Sequence, residues 1–290
     1  MSDSSRNGPT LSRREMTQLT IAVSAGLAAA PFTAANAADH AEPFKDAGDT
    51  LRAFMRLQSR VDDGYTSYFN AGTVYAVLAG RQSIPMYGYE GLLRFHTRVA
   101  GAGRYEVTFI EAGTYLDLAT GQRMDRFQNP ITGVENVVRH IVEGPMSWRW
   151  TRQNLGVTSP LPILRRRVAW QHFEGESWMH FDNLISLPGP GGVRHAAALV
   201  TYVGKTVEML DAKRVSVADT VLIDSSINPW APWLAMGEDP GRLANNIIGR
   251  KLGALSEAPD RLIKYIAASD PHVLEGVERW AGQSATERLD

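Results

Sequence analysis

The sequence predicts a mainly β protein, an antiparallel barrel or strongly curved sheet with a short N-terminal helix and two to three C-terminal helices. Three observations carry this. From Tyr65 to about Met209 the chain is a series of short runs rich in aromatic and β-branched residues, among them GTVYAVL, RYEVTFI, MSWRW and RRVAWQHF. Turn-forming groups such as Ala119-Thr120-Gly121, Asn129-Pro130, Gly144-Pro145 and the LPGPGG stretch punctuate them. Within the runs side chains alternate: Tyr105, Val107 and Phe109 share one side of RYEVTFI, and Arg104, Glu106 and Thr108 the other. In GTVYAVL both sides are partly apolar. No strand–helix–strand repeat is visible, which argues against a doubly wound dinucleotide fold.

Taken in order, the first element is an export signal. Ser12-Arg13-Arg14 precedes the mildly apolar LTIAVSAGLAAAPF and the small-x-small pattern Ala35-Asn36-Ala37. The paired arginines predict the twin-arginine type over residues 1–37 and a periplasmic or otherwise exported protein, although Glu15-Met16 stands where Phe-Leu is commoner. The apolar run is too short to span about 30 Å of hydrocarbon, so no integral membrane segment is expected after cleavage. Residues 38–290 read as a single domain. DAGDTLRAFMRLQSR, from Asp46 to Arg60, spaces Leu51, Phe54, Met55 and Leu57 as an amphipathic helix, capped by Asp49 or Thr50, with Arg52 and Arg56 toward solvent. Eight or nine strands follow. They suit a calycin-like barrel, which removes exposed edges and at about eight strands holds one small ligand. After Asp219, GRLANNIIGRKLGAL, PDRLIKYIAAS and VLEGVERWAG read as helices packed outside the barrel or over its end.

Composition narrows the function. Lys+Arg 30 against Asp+Glu 31 gives no electrostatic case for nucleic acid. The absence of cysteine excludes disulfides, thiolate metal sites, iron–sulfur clusters and thiol nucleophiles.

Three blocks carry a resemblance: AGTVYAVLAG with MYGYEG, then YLDLATGQRMDRFQNPITG with VVRH, then WLAMGEDPGRLANNIIGRKL. Together they resemble the domain-of-unknown-function 1838 family of bacterial proteins, many with export signals, from about Thr50 to Ile266. The resemblance implies a shared fold and an extracytoplasmic life. It implies no reaction. Read for themselves, Asp117 to Gly121 and Asn129 to Gly133 make tight turns, and are architecture before chemistry.

The densest titratable stretch is WQHFEGESWMHFDN, from Trp170 to Asn183. As one strand it would align His172, Glu174, Glu176, His180 and Asp182 on one face. EGES, however, reads as a hairpin connection. Glu174 and Glu176 then leave for an exposed tip, and the register decides whether His172 faces the His180–Asp182 pair. HxH, HxxxH and HExxH spacings are absent, so no metal site is expected. GxSxG, phosphate-loop and dinucleotide motifs are absent too, and no cofactor is expected.

What remains is acid–base chemistry. His140 or His172 is the candidate acid or base, oriented by Asp182 or Asp125. Arg94 or Arg126 would hold an anionic oxygen. His96, His180, Tyr75, Tyr87, Trp148 and Trp178 are candidate binding residues for a small apolar or aromatic molecule. The expectation is an exported, cofactor-independent lyase or isomerase. A lipocalin-like carrier and a non-catalytic envelope protein are the alternatives, and homo-oligomerisation is compatible with each.

Overall fold

Alternation of side chains becomes one large sheet. The computed structural model describes residues 44, 46–152, 156–158, 163–189, 192–237 and 240–280, so the export signal expected at 1–37 lies outside the described residues. In chain order the elements are α1 (Ala47–Gln58), β1 (Gly64–Leu78), β2 (Ile84–Gly101), β3 (Arg104–Leu116), β4 (Arg126–Gln128), β5 (Glu135–Val137), β6 (Val142–Thr151) and β7 (Gly156–Thr158). Then come β8 (Ile163–Phe173), β9 (Glu176–Gly189), β10 (Gly192–Lys205), α2 (Thr206–Leu210), β11 (Val221–Asp224), β12 (Ile227–Asn228), β13 (Gly241–Leu252), α3 (Asp260–Ser269) and α4 (Val277–Trp280). The strands pair antiparallel in the order β7-β6-β3-β2-β1-β13-β11-β10-β9-β8, with β12 bridging β10 and β13, while β4 and β5 form a separate ribbon.

The sheet is strongly curved. Among the described residues its two ends meet through rings and not through backbone bonds: Trp150 of β6 lies 5.8 Å from Phe181 of β9 and 5.4 Å from the guanidinium of Arg166 of β8. Of the two predicted forms, the strongly curved sheet is the one seen.

Helix α1 sits on the concave side. Its apolar stripe of Leu51, Phe54, Met55 and Leu57 is fully buried against Tyr68, Phe95, Trp150, Phe181 and Tyr202. Each such side chain stabilises the fold by roughly 1.5–3 kcal/mol. Two details differ from expectation, and a third adds to them. The cap is Asp46, which accepts from Gly48 N at 2.6 Å and Asp49 N at 2.9 Å, because it is the residue that keeps an extended backbone. Arg56 is buried and donates to Arg214 O at 2.7 Å and Met209 O at 2.8 Å, so it anchors the segment after β10. The buried Lys251 of β13 donates to Leu57 O at 2.7 Å and Arg56 O at 2.9 Å, placing its amine at the negative end of the helix, where burial lowers its proton affinity well below that of a free lysine.

A larger difference concerns GRLANNIIGRKL. It is not a helix but β13, between β1 and β11 near the middle of the sheet. Leu243, Ile247 and Lys251 recur every four residues, a spacing that a helix and a strand satisfy equally. Pairing of the whole strand with β1, from Ser67↔Leu252 to Leu78↔Gly241, decides for the strand. The last two helical segments are helices. Leu262 and Ile266 of α3, with Val273 and Trp280, pack on Leu92, Ile110 and Ala112, outside the curve.

Candidate functional site

The inward face carries more than apolar side chains. On β3 the inward set continues Tyr105, Val107, Phe109, Glu111, Gly113, Tyr115, since each pairs with an inward residue of β2: Phe109 with Phe95, Glu111 with Leu93, Gly113 with Gly91. On β1 the inward set includes Tyr68, Asn70 and Val74, and Asn70 sits between Gly91 of β2 and Gly249 of β13. A row Gly249–Asn70–Gly91–Gly113 therefore crosses four strands with one side chain among four positions.

The phenol of Tyr89 fills the space these glycines leave. A Cβ on Gly91 would stand 2.0 Å from Tyr89 Oη, and one on Gly113 would stand 2.6 Å from its ring. Lying across the row, Tyr89 donates to Glu111 Oε1 at 2.5 Å. Glu143 of β6 is the residue opposite Glu111, reached through a register shift between Phe109 and Glu111. Asp224 of β11 joins from beyond β13, its Oδ2 accepting from Asn245 Nδ2 and its Oδ1 from Ser226 N, both at 2.8 Å.

As whole residues Glu111, Glu143 and Asp224 are half-buried. Burial, then the Glu143 carboxylate, pushes Glu111 up to about 7 against the bonds from Tyr89 and Asn70. Burial and then Asp224 raise Glu143. Burial, followed by the charge of Glu111, raises Tyr89 and keeps its phenol protonated. A carboxyl poised near neutrality and touching a phenol can pass a proton in either direction. Aromatic rings adjoin the group: Tyr115 is 6.1 Å from Tyr89, and Trp148, 4.6 Å from Phe109, faces the same side.

The residues expected from sequence lie elsewhere, in most cases. EGES is a hairpin turn with positive φ at Glu174 and Gly175. Its register pairs His172 with Ser177 and His180 with Ala169, which puts His172 on the concave face and His180 and Asp182 on the convex one. The His172–Asp182 pairing therefore does not form. His172 stacks on Trp170 and shares a hydrogen bond with Ser177 Oγ at 2.7 Å. His180 bonds Thr201 Oγ1 at 2.9 Å, and Asp182 faces Arg167 at 3.6 Å.

His140 lies against the outward Thr114 (Oγ1 to Nδ1, 3.3 Å) and Tyr265 of α3. Tyr115 N faces its Nδ1 at 3.2 Å and Arg123 Nε its Nε2 at 2.9 Å. Ringed by donors, the imidazolium is disfavoured: burial first, then Arg123, push it down to about 4 although Asp125 stands 3.9 Å away. Asp125 is exposed and pairs with Arg123, and exposed Arg126 pairs with Glu135 at 2.6 Å.

Arg94 faces outward and is buried, donating to Val273 O and Glu275 O at 2.5 and 2.8 Å between Tyr65 and Trp280. It clasps the C-terminal segment. His96 packs on Tyr65 outside the sheet at 4.7 Å. Tyr75 and Trp178 face outward too. Tyr87 is inward but fully packed by Tyr115, Phe127 and Trp233. Of the expected set only His172, Tyr87 and Trp148 face the concave side.

Fold and site together define a strongly curved antiparallel sheet with carboxyl groups and aromatic rings on its concave face. The chain belongs to the family described as "Protein of unknown function (DUF1838)", whose profile matches residues 64–286. No curated protein and no solved structure matches it.

Proposed function

We propose that this is an exported enzyme that needs no cofactor and moves protons on a small apolar or aromatic molecule held inside the curve, as a lyase or isomerase does. Glu111 carries the proton, and Tyr89, whose one O–H is given to Glu111, sets its orientation. The observation that supports this reading is Glu111 itself: an inward carboxyl bonded to a phenol, half-dry, with a proton affinity matched to neutral pH. The histidines do not fill the role. His140 is held neutral among donors, and His172 is engaged with Ser177.

The test is turnover of a panel of aromatic aldehydes, esters and phenolic dimers by the wild type, Glu111→Gln and Tyr89→Phe. Loss of at least about 100-fold in Glu111→Gln is expected, the size of a removed general acid or base. Tyr89→Phe should lose less and move the pH profile. Turnover unchanged in Glu111→Gln would overturn the assignment. One observation favours the envelope alternative: α1 fills part of the concave face. That reading expects no member of the panel to bind.

A further inference from the structure

The acids of the concave face lack basic partners. Three carboxylates, Glu111, Glu143 and Asp224, share this enclosure, and among the described residues no ion pair joins any of them to a lysine or arginine. Two inward basic residues are committed elsewhere. Lys251 Nζ donates to the carbonyls of Arg56, Leu57 and Ser59 and to Ser216 Oγ. Arg166 lies over Trp150 and donates to Asn183 Oδ1 at 2.8 Å. By contrast, two acids of the convex face are matched: Glu90 with Arg261 at 2.6 Å, and Glu106 with Arg98 and Arg149.

A second observation is independent of these charges. Asn70, in the glycine row beside Glu111, is 4% exposed, and its Oδ1 has no hydrogen-bond partner. An acceptor so buried costs stability until a donor reaches it. Asn70 Oδ1 and the three carboxylates thus ask for the same thing, positive charge or N–H donors, while the unmet indole N–H of Trp150 belongs to the seam with Phe181. The rings of Tyr89, Tyr115 and Trp148 add faces that attract a cation.

We propose that the enclosure binds a small organic ammonium, its charge taken by Glu111, Glu143 and Asp224 and its apolar part by the aromatic side chains. The inference deepens the proposed function by naming the ligand class. It shares with it the enclosure, but not the proton transfer.

The experiment is calorimetric titration of the whole chain at pH 8 with three matched probes: benzylammonium, benzyl alcohol and benzoate. Benzylammonium should bind at least about tenfold tighter than benzyl alcohol, with benzoate weakest; tenfold corresponds to about 1.4 kcal/mol. Glu143→Gln and Asp224→Asn should each erase most of that advantage while leaving benzyl alcohol unchanged. Equal affinity for the charged and neutral rings would overturn the cation and leave the enzyme reading intact. So would an advantage that survives both substitutions. Displacement of benzylammonium by equimolar calcium would move the assignment to a metal and overturn it. Failure of all three rings to bind would sink both readings. Inactivity restricted to the turnover panel would sink only the proton transfer.

Discussion

Glu111 and His140 are both displaced by burial, and in opposite senses for stability. Glu111 binds its proton more tightly when folded, at about 7 against the usual 4.5, so its contribution is intact at low pH and is lost as pH rises through 7. His140 binds its proton less tightly, at about 4 against 6.5. Its contribution is intact above 6.5 and is lost as pH falls toward 4. Each displacement corresponds to roughly 3 kcal/mol at full effect. Urea midpoints from pH 4 to 8 should therefore show Glu111→Gln gaining on the wild type as pH rises from 5 to 8. His140→Gln should gain as pH falls from 6.5 to 4. Parallel curves for either variant would contradict its environment. Glu111 was legible from the chain: Tyr105, Val107 and Phe109 set a phase, and two residues further that phase reaches a carboxylate. The histidines drew attention because imidazoles look like chemistry, but side-chain identity does not say which face it occupies.

At the scale of the element, the site depends on where side chains are missing. Gly91 and Gly113 let Tyr89 lie flat across two strands, and Gly249 leaves room for Asn70, whose Oδ1 would stand 2.1 Å from a Cβ there. Gly91→Ala should push the phenol off Glu111 and destabilise by about 1–3 kcal/mol, the usual cost of overpacking. Tyr89→Phe keeps the ring, removes one hydrogen bond and should cost less, about 1 kcal/mol. Thermal melts rank the two. A harmless Gly91→Ala would mean that the glycine row is not what positions the acid. No pattern within one strand shows this row, because its four members come from β13, β1, β2 and β3. The misread β13 belongs here as well. Its four-residue recurrence fits two geometries, and only the neighbouring strand chooses.

For the molecule as a whole, the question is how a sheet of this curvature is held shut. The ends meet through Trp150, Phe181 and Arg166, with Phe54 of α1 4.6 Å from Trp150 and 5.3 Å from Phe181. Among the described residues no ladder of backbone bonds crosses this seam, unlike β1, which is paired on both sides over most of its length. Hydrogen exchange should find β1 amides protected to the level of global unfolding, and β8 amides facing away from β9 exchanging through smaller openings. Equal protection in β8 would reveal a closure the ring contacts do not account for. Trp150→Ala should loosen the seam and destabilise by about 3–5 kcal/mol.

By itself the sequence determined the β class, the hairpin at EGES, the amphipathic α1 and the two last helices, since each is written in neighbouring residues by period, cap or turn. Only the tertiary structure decided which strand lies beside which, that GRLANNIIGRKL is one of them, and that α1 and three distant acids share the concave face. Those outcomes depend on pairing between segments far apart in the chain, where one residue of register turns every side chain to the opposite side.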